Sequence, residues 1–279
     1  MKNIFITFLL LSSNLFSQAL IPNPPEVSAS SYLLLDAKTL TVISSSEADQ
    51  STGLASITKI MTAYVVSDQI SKGFISLETM VDISVDCWKM EGSKMFIREG
   101  TQVSVSDLLK GIVVQSGNDA SCALAEKIAG SQSAFADLMN NYAEQLELDN
   151  SNFINPTGLP DVNHYSTAND IAKLSIALIN DFPETYVLFK EKQFTFNNIK
   201  QLNRNSLLWQ DDSIDGIKTG HTSDAGYCLV ASAKRGDMRL IAIVLNSASE
   251  KTRLQDSRRL LDYGFRFFKT KKILDKYQQ

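Results

Sequence analysis

The feature that most constrains this chain is where its strand-forming runs lie. They sit at both ends, with helical periodicity between them. Tyr32–Asp36 and Thr41–Ser44 are short β-rich runs separated by Ala37-Lys38-Thr39-Leu40, and they read as a hairpin. Far along the chain, Asp215–Lys218, Gly226–Ala233 and Arg239–Leu245 are strand-like again, with Arg235-Gly236-Asp237 as a turn between the second and third. Between the two groups, Ile57, Ile60, Met61, Tyr64 and Val65 share one side of a helix that starts at Ser56 and closes at Gly73. Ser106-Asp107 opens Leu108–Gln115, Asn118–Ala129 follows, and Ser133–Leu148 is a further amphipathic stretch. A polar loop, Asn155–Tyr165, precedes a helix capped by Thr167-Ala168-Asn169-Asp170 that ends near Asn180, and a last amphipathic helix covers about Glu250 to Phe268. Strands this far apart in sequence meet only if the helices pack on the sheet they form. The expected architecture is therefore one α/β unit, a mostly antiparallel sheet with helices on its faces.

The first residues read as a removable leader. Lys2 gives a positive start, Ile4–Leu11 is apolar apart from Thr7, and Ser17-Gln18-Ala19 is a small-x-small cleavage pattern. The alternative is a membrane anchor, but the run is short against the ~30 Å of hydrocarbon it would have to cross. The expectation is a signal peptide over 1–19, a Pro-rich linker over 20–29, and an exported, periplasmic chain. No cysteine lies at the cleavage region, so lipoprotein processing is not expected. Net charge is −4 with no block of five like charges, which argues against a nucleic-acid partner. Three cysteines, Cys87, Cys122 and Cys228, are odd in number and widely spaced, matching neither a disulfide framework nor a zinc site. Cys122 reads as a small core residue. Two histidines are too few for a His-based metal centre, so no metal and no organic cofactor is expected.

Three short patterns carry chemistry, in order: Ser56-Ile57-Thr58-Lys59, Ser116-Gly117-Asn118, and Lys218-Thr219-Gly220 followed by His221-Thr222. A serine hydroxyl is a weak nucleophile without a base in hydrogen-bond reach. Residues i and i+3 share a helix face, so Lys59 can meet Ser56 if a helix begins there. A lysine serves as base only when desolvation or a nearby cation lowers its pKa, and Lys218 is the candidate cation. Gly220 fits a cleft-lining strand that lets a substrate backbone approach and add to the strand edge, with Thr219 and Thr222 presenting hydroxyls. Lys59 and Lys218 could each otherwise be an ordinary solvated charge.

The order of these patterns, S-x-x-K, S-x-N and K-T-G, is that of β-lactamases and penicillin-binding proteins. The match extends through Ala55–Lys59, Gln115–Ala120, Asn203-Arg204-Asn205, Asp215–Thr222 and Gly264–Phe268. Over roughly Ser30 to Thr270 the chain closely resembles the low-molecular-weight D-alanyl-D-alanine carboxypeptidases of the penicillin-binding protein 5 and 6 type. The resemblance implies an α/β fold of β-lactamase/transpeptidase type, an antiparallel sheet flanked by helices with a helical subdomain. It implies removal of the terminal D-alanine from peptidoglycan stem peptides ending in D-Ala-D-Ala, with β-lactams as covalent inhibitors. By residue, it implies Ser56 as acylated nucleophile, Lys59 as base and Ser116 as proton relay to the leaving amine. Asn118 would bind the substrate amide and Lys218 support Ser116 electrostatically. The backbone N–H groups of Ser56 and His221 would form the oxyanion hole. The terminal carboxylate would meet Thr219, Thr222 and an arginine, Arg253 or Arg204, with His164 near the cleft. Surface or structural contacts are the competing reading for Arg253, Arg204 and His164.

Two rival functions stay in view. A serine β-lactamase of class A would add a glutamate for the deacylating water, and no Glu-x-x-Leu-Asn segment lies between Asn118 and Lys218. A non-catalytic peptidoglycan-binding module would have little use for the intact set of Ser56, Lys59, Ser116, Asn118, Lys218 and Gly220. The resemblance also implies a β-rich second domain and an anchoring helix beyond the catalytic domain, whereas this chain ends at Gln279. The expectation is a catalytic domain over 30–279 whose short basic tail, Lys269–Lys276, gives at most weak peripheral membrane contact.

Overall fold

The computed structural model describes residues 21–271; the expected leader and the tail from Lys272 onward lie outside them. In chain order, β1 (Ser31–Asp36) pairs with β2 (Val42–Ser46) as the expected hairpin. A 3₁₀ turn, Ala55–Thr58, runs directly into α1 (Lys59–Ser71). A mostly helical region follows: β3 (Met80–Asp82), α2 (Val85–Lys89), β4 (Gln102–Ser104), α3 (Val105–Lys110), a π turn over Gly111–Gln115, α4 (Asn118–Ala129) and α5 (Gln132–Gln145). Beyond the loop come α6 (Ala168–Asp181) and α7 (Pro183–Tyr186), then a hairpin of β5 (Gln193–Phe196) and β6 (Ile199–Leu202). The chain finishes with β7 (Ile214–Thr222), β8 (Gly226–Arg235), β9 (Met238–Ser247) and α8 (Glu250–Phe267).

Five of the helices, α2, α3, α5, α6 and α8, start where a serine or threonine caps them. Ser84, Ser104, Ser131, Thr167 and Ser249 each accept a hydrogen bond from the amide three residues on. The cap of α3 is Ser104, two residues before the expected start, because Ser104 leaves β4 in an extended conformation while Ser106 is already helical.

The main sheet has the order β2-β1-β9-β8-β7, with every pair antiparallel. Alternation along the strands splits the core in two. Leu34, Leu229, Ala231, Leu240, Ala242 and Val244 face Leu260, Leu261 and Tyr263 of α8. Leu33, Leu35, Val230, Ile241, Ile243 and Leu245 face the larger core built with α1, α4 and their neighbours. Central β9 is buried on both faces, which is why Leu240–Leu245 reads as a continuous apolar run instead of alternating. Each such Leu or Ile, fully buried, contributes ~1.5–3 kcal/mol. Among the described residues, no helix is long and apolar enough to cross a membrane.

Two features position the site. First, β7 is an edge strand with β8 as its one sheet neighbour, and the serine turn packs against it at Gly220. Second, the cysteine expectation is corrected: Cys87 of α2 and Cys122 of α4 form a disulfide across 35 residues of sequence. Wide spacing gave no hint of the pairing, because the hairpin of β3 and β4 folds back and brings the two helices together in space. Cys228 is a buried free thiol.

Candidate active site

Ser56 sits on the 3₁₀ turn, not on the α-helix proper. In a 3₁₀ turn residues i and i+3 eclipse, and Lys59 is stacked under Ser56. Lys59 is 0 % exposed, and its Nζ lies 3.0 Å from Ser56 Oγ, 2.7 Å from Asn118 Oδ1 and 2.6 Å from the Thr157 carbonyl oxygen. Asn118 Oδ1 and Thr157 O are acceptors only. A neutral Lys59 must therefore spend its two N–H groups on them, and its lone pair faces the one partner that carries a proton, the Ser56 hydroxyl.

Burial lowers the Lys59 pKa from 10.5 to about 7, against the charge of Asp119, which raises it. Of the two causes expected, desolvation is the one that lowers the Lys59 value. Lys218 is pushed well below its usual value by burial first, then by the charges of Lys59, Arg253 and Arg204. The Thr157 carbonyl is held over α1 by its own loop. Asn155 Oδ1 accepts from the Thr157, Gly158 and Leu159 amides, and Thr62 Oγ1 donates to Pro156 O at 2.7 Å. A backbone oxygen fixed by a turn has no side-chain signature, so sequence reasoning had no route to it.

Ser116 ends the π turn at φ 66°, a left-handed conformation that swings it into the cleft, where Lys218 Nζ donates to its Oγ at 3.0 Å. Asn118 begins α4. Its Nδ2 donates to the Glu91 carbonyl at 2.6 Å, so the amide is held at both ends between residue 91 and Lys59.

Ser56, Ser116, Thr219, Gly220, His221, Arg204 and Arg253 line one cleft of about 280 Å³, together with Ser93, Tyr227 and Glu250, which the sequence did not single out. Arg253 is buried at its wall. Its Nη1 donates to Gly220 O at 3.1 Å and its Nη2 meets Glu250 at 3.1 Å, while Nε has no partner among the described residues. Arg204 is exposed at the rim. His221 stacks on Tyr227 with ring centroids 3.9 Å apart. Gly220 also meets a packing demand that the sequence did not suggest. A Cβ there would meet Leu54 O at 2.8 Å, Ala55 Cβ at 3.2 Å and Ile57 Cγ1 at 3.2 Å. The missing side chain lets the serine turn itself pack on β7.

Thr222 and His164 are placed elsewhere, in a neighbouring cavity of about 520 Å³ on the far side of Ala55. The Thr222 hydroxyl accepts from Ala225 N at 3.1 Å and shapes the turn into β8. His164 is buried beneath the serine turn. The Ile154 amide donates to its Nδ1 at 3.1 Å, so the proton is on Nε2, which donates to Thr58 Oγ1 at 2.7 Å. Burial holds its pKa down at about 4, with the Lys59 charge adding to the effect and Asp161 opposing it. His164 thus ties the Asn155–Tyr165 loop to the serine turn as a neutral ring.

Residues 18–249 match the family model for D-alanyl-D-alanine carboxypeptidase, peptidase S11, a span that takes in all three motifs. The chain belongs to this family of serine peptidases. It is 48% identical over 253 residues to the D-alanyl-D-alanine carboxypeptidase DacC of Escherichia coli K12, covering 88% of this chain and 63% of that one. Its fold is similar to that of penicillin binding protein 6B from Escherichia coli, with a TM-score of 0.88 and 43% identity over 94% of this chain and 84% of the other. Penicillin-binding protein D2 of Listeria monocytogenes, in its ampicillin-bound form, gives a TM-score of 0.80 at 29% identity over 88% of this chain and 100% of that one. The transpeptidase-like fold expected of the family is therefore the fold found. The chain spans just under two thirds of the length of the DacC relative.

Proposed function

We propose that this chain is a serine D-alanyl-D-alanine carboxypeptidase acting on peptidoglycan stem peptides through an acyl-enzyme on Ser56. One observation carries the reading: of the three partners of the buried Lys59 Nζ, the Ser56 hydroxyl is the one able to give it a proton. Lys59 takes that proton as Oγ attacks the carbonyl of the penultimate D-alanine. The C–N bond then breaks, and the leaving D-alanine amine receives a proton through Ser116, which Lys218 Nζ contacts. Water later cleaves the Ser56 ester and restores the hydroxyl. The backbone N–H groups of Ser56 and His221 hold the developing oxyanion, where one donor is typically worth 10²–10³ in rate.

The leaving residue carries a carboxylate, and in this reading it meets Arg253, Arg204 and Thr219, which line the cleft. Its arrival places a negative charge beside Lys218 and favours the protonated form that burial disfavours. A β-lactam presents a strained amide and a carboxylate in the same relation, so it acylates Ser56 and stays as a covalent inhibitor. In this reading residues 30–279 are the catalytic unit, behind a removed leader over 1–19 and a linker over 20–29, and the enzyme works in the periplasm where its substrate is.

The test is release of free D-alanine from a peptide ending in D-Ala-D-Ala. The wild-type chain is expected to release it and Ser56→Ala to release none. A folded wild-type chain that releases none overturns the proposal.

A further inference from the structure

The Cys87–Cys122 bridge lies one helical turn from the reaction. Cys122 follows Asn118 at i+4 on α4, so both project from the same face of that helix. Cys87 leads, through Trp88 to Ile97, into a segment that runs back over the first turn of α4. Its contacts there are dense. The Asn118 amide donates to Ser93 O at 2.7 Å, and Asn118 Nδ2 donates to Glu91 O at 2.6 Å. The Asp119 carboxylate accepts from the amides of Met95 at 2.9 Å, Phe96 at 3.0 Å and Ile97 at 3.3 Å. Gly92, at φ 81°, passes so close that a Cβ would stand 2.7 Å from Asn118 Nδ2. Ser93 reaches the cleft itself. The segment is thus a strap, tied covalently to α4 at one end and laid across Asn118 and Asp119 along its length.

Asn118 is the link to catalysis. Its Oδ1 is one of the two pure acceptors that turn the Lys59 lone pair toward Ser56. The amide keeps that orientation because Glu91 O takes its Nδ2. If the strap lifts, the amide is free to rotate and Lys59 loses a fixed acceptor. We propose that the Cys87–Cys122 disulfide is a positioning bond for acylation: it holds the strap on α4, fixes the Asn118 amide, and makes the acylation rate depend on the redox state of this pair. The inference rests on the reading of Ser56 as the acylated residue. Loss of the bond needs a dithiol reductant, which gives up two electrons and two protons, yields thiols at Cys87 and Cys122 and leaves as its own disulfide. Both cysteines are 0 % exposed, so a reductant reaches them only as the strap opens.

The test compares the oxidised wild-type chain with the double variants Cys87→Ala/Cys122→Ala and Cys87→Ser/Cys122→Ser, at a temperature where circular dichroism shows all three folded. Intact mass after thiol alkylation in denaturant, without reductant, is expected to show one modifiable cysteine, Cys228, in the wild type. Stopped-flow acylation with benzylpenicillin is expected to show a limiting rate at least tenfold lower in both variants, with the dissociation constant of the initial complex changed less than threefold. A mere packing role would make the two variants differ with side-chain polarity and leave the limiting rate alone. Hydrogen exchange at Met95, Phe96 and Ile97 is expected to speed up at least tenfold in both variants, a readout independent of activity. Dithiothreitol should slow acylation of the wild type, and reoxidation should restore it. Three alkylated cysteines in the untreated wild type, or strap amides that exchange as in the wild type in both variants, overturn the proposal. So does an unchanged limiting rate. A wild type that is folded and bridged but never acylated fails the Ser56 reading instead, and the exchange result still decides whether the bond holds the strap.

Discussion

The burial of Lys59 sets a pH dependence that follows from its geometry. With the usual pKa of 10.5, roughly one Lys59 in 3,000 would be neutral at pH 7; at about 7, roughly half are. Desolvation therefore raises the neutral fraction of Lys59 by about three powers of ten, which, if Lys59 is the base as proposed, is comparable to the whole effect usually attributed to a general base, ~10²–10⁴. Acylation by benzylpenicillin should rise through an acid limb with its midpoint near pH 7, fall to roughly a hundredth of its plateau at pH 5, and be flat above about pH 8.5. The same shift is a stability statement. The unfolded chain binds the Lys59 proton up to about 10.5 and the folded chain releases it above about 7, so the unfolded state holds more protons between those values and stability rises with pH across that window. Below it, keeping Lys59 charged in its buried site costs roughly 5 kcal/mol, from the fall of its pKa from 10.5 to about 7. The assay is stopped-flow acylation from pH 5 to 9, with denaturant melts at the same pH values. A rate independent of pH from 5 to 9 would refute the claim that a neutral Lys59 is the base.

Other expectations follow from neighbouring contacts. Gly220→Ala drives a methyl against Leu54 O and Ile57, so the serine turn must shift; acylation should drop ~10²-fold, since misplacement by about 1 Å costs that much, and stopped-flow rates on the folded variant check it. Arg253→Leu removes a buried cation from the cleft wall; if that cation meets the substrate carboxylate as proposed, the change should raise KM for D-Ala-D-Ala peptides more than it lowers the rate of Ser56 acylation by a neutral ester substrate, measured side by side. Leu34→Ala opens the core under α8 and should cost ~2–5 kcal/mol in a urea melt.

Much of the site was legible because its chemistry is carried by side chains in short local patterns. Ser56 and Lys59 are three apart, and any helical turn brings them together. Ser116 with Asn118, and Lys218 with Gly220, flank turns or edge positions whose residues are unusual for their setting. The strands were legible where alternation or double burial shaped them, as in β1 and β9. The hairpin of β5 and β6 was missed because its strands are four residues long and mostly exposed. Its turn did leave a signal, since Asn197 and Asn198 both take positive φ, 47° and 61°, as a two-residue hairpin turn demands. The Thr157 carbonyl, the strap amides on Asp119 and the pairing of Cys87 with Cys122 left none. Backbone atoms carry no residue code, and two cysteines 35 residues apart meet only through the tertiary path between them. Gly220 was legible as a cleft residue, but the close packing of the chain's own serine turn on it was not.

The central claim is that Lys59 draws the proton from Ser56. The most direct measurement is intact-mass and peptide-mapping analysis of the benzylpenicillin adduct in the wild type, Ser56→Ala and Lys59→Arg, timed to give rates. Arginine keeps the positive charge but stays protonated at neutral pH. The account predicts one adduct on the peptide holding Ser56 in the wild type, none in Ser56→Ala, and at least ~10²-fold slower labelling in Lys59→Arg. Labelling of Lys59→Arg at the wild-type rate, or an adduct on any residue other than Ser56, would contradict it.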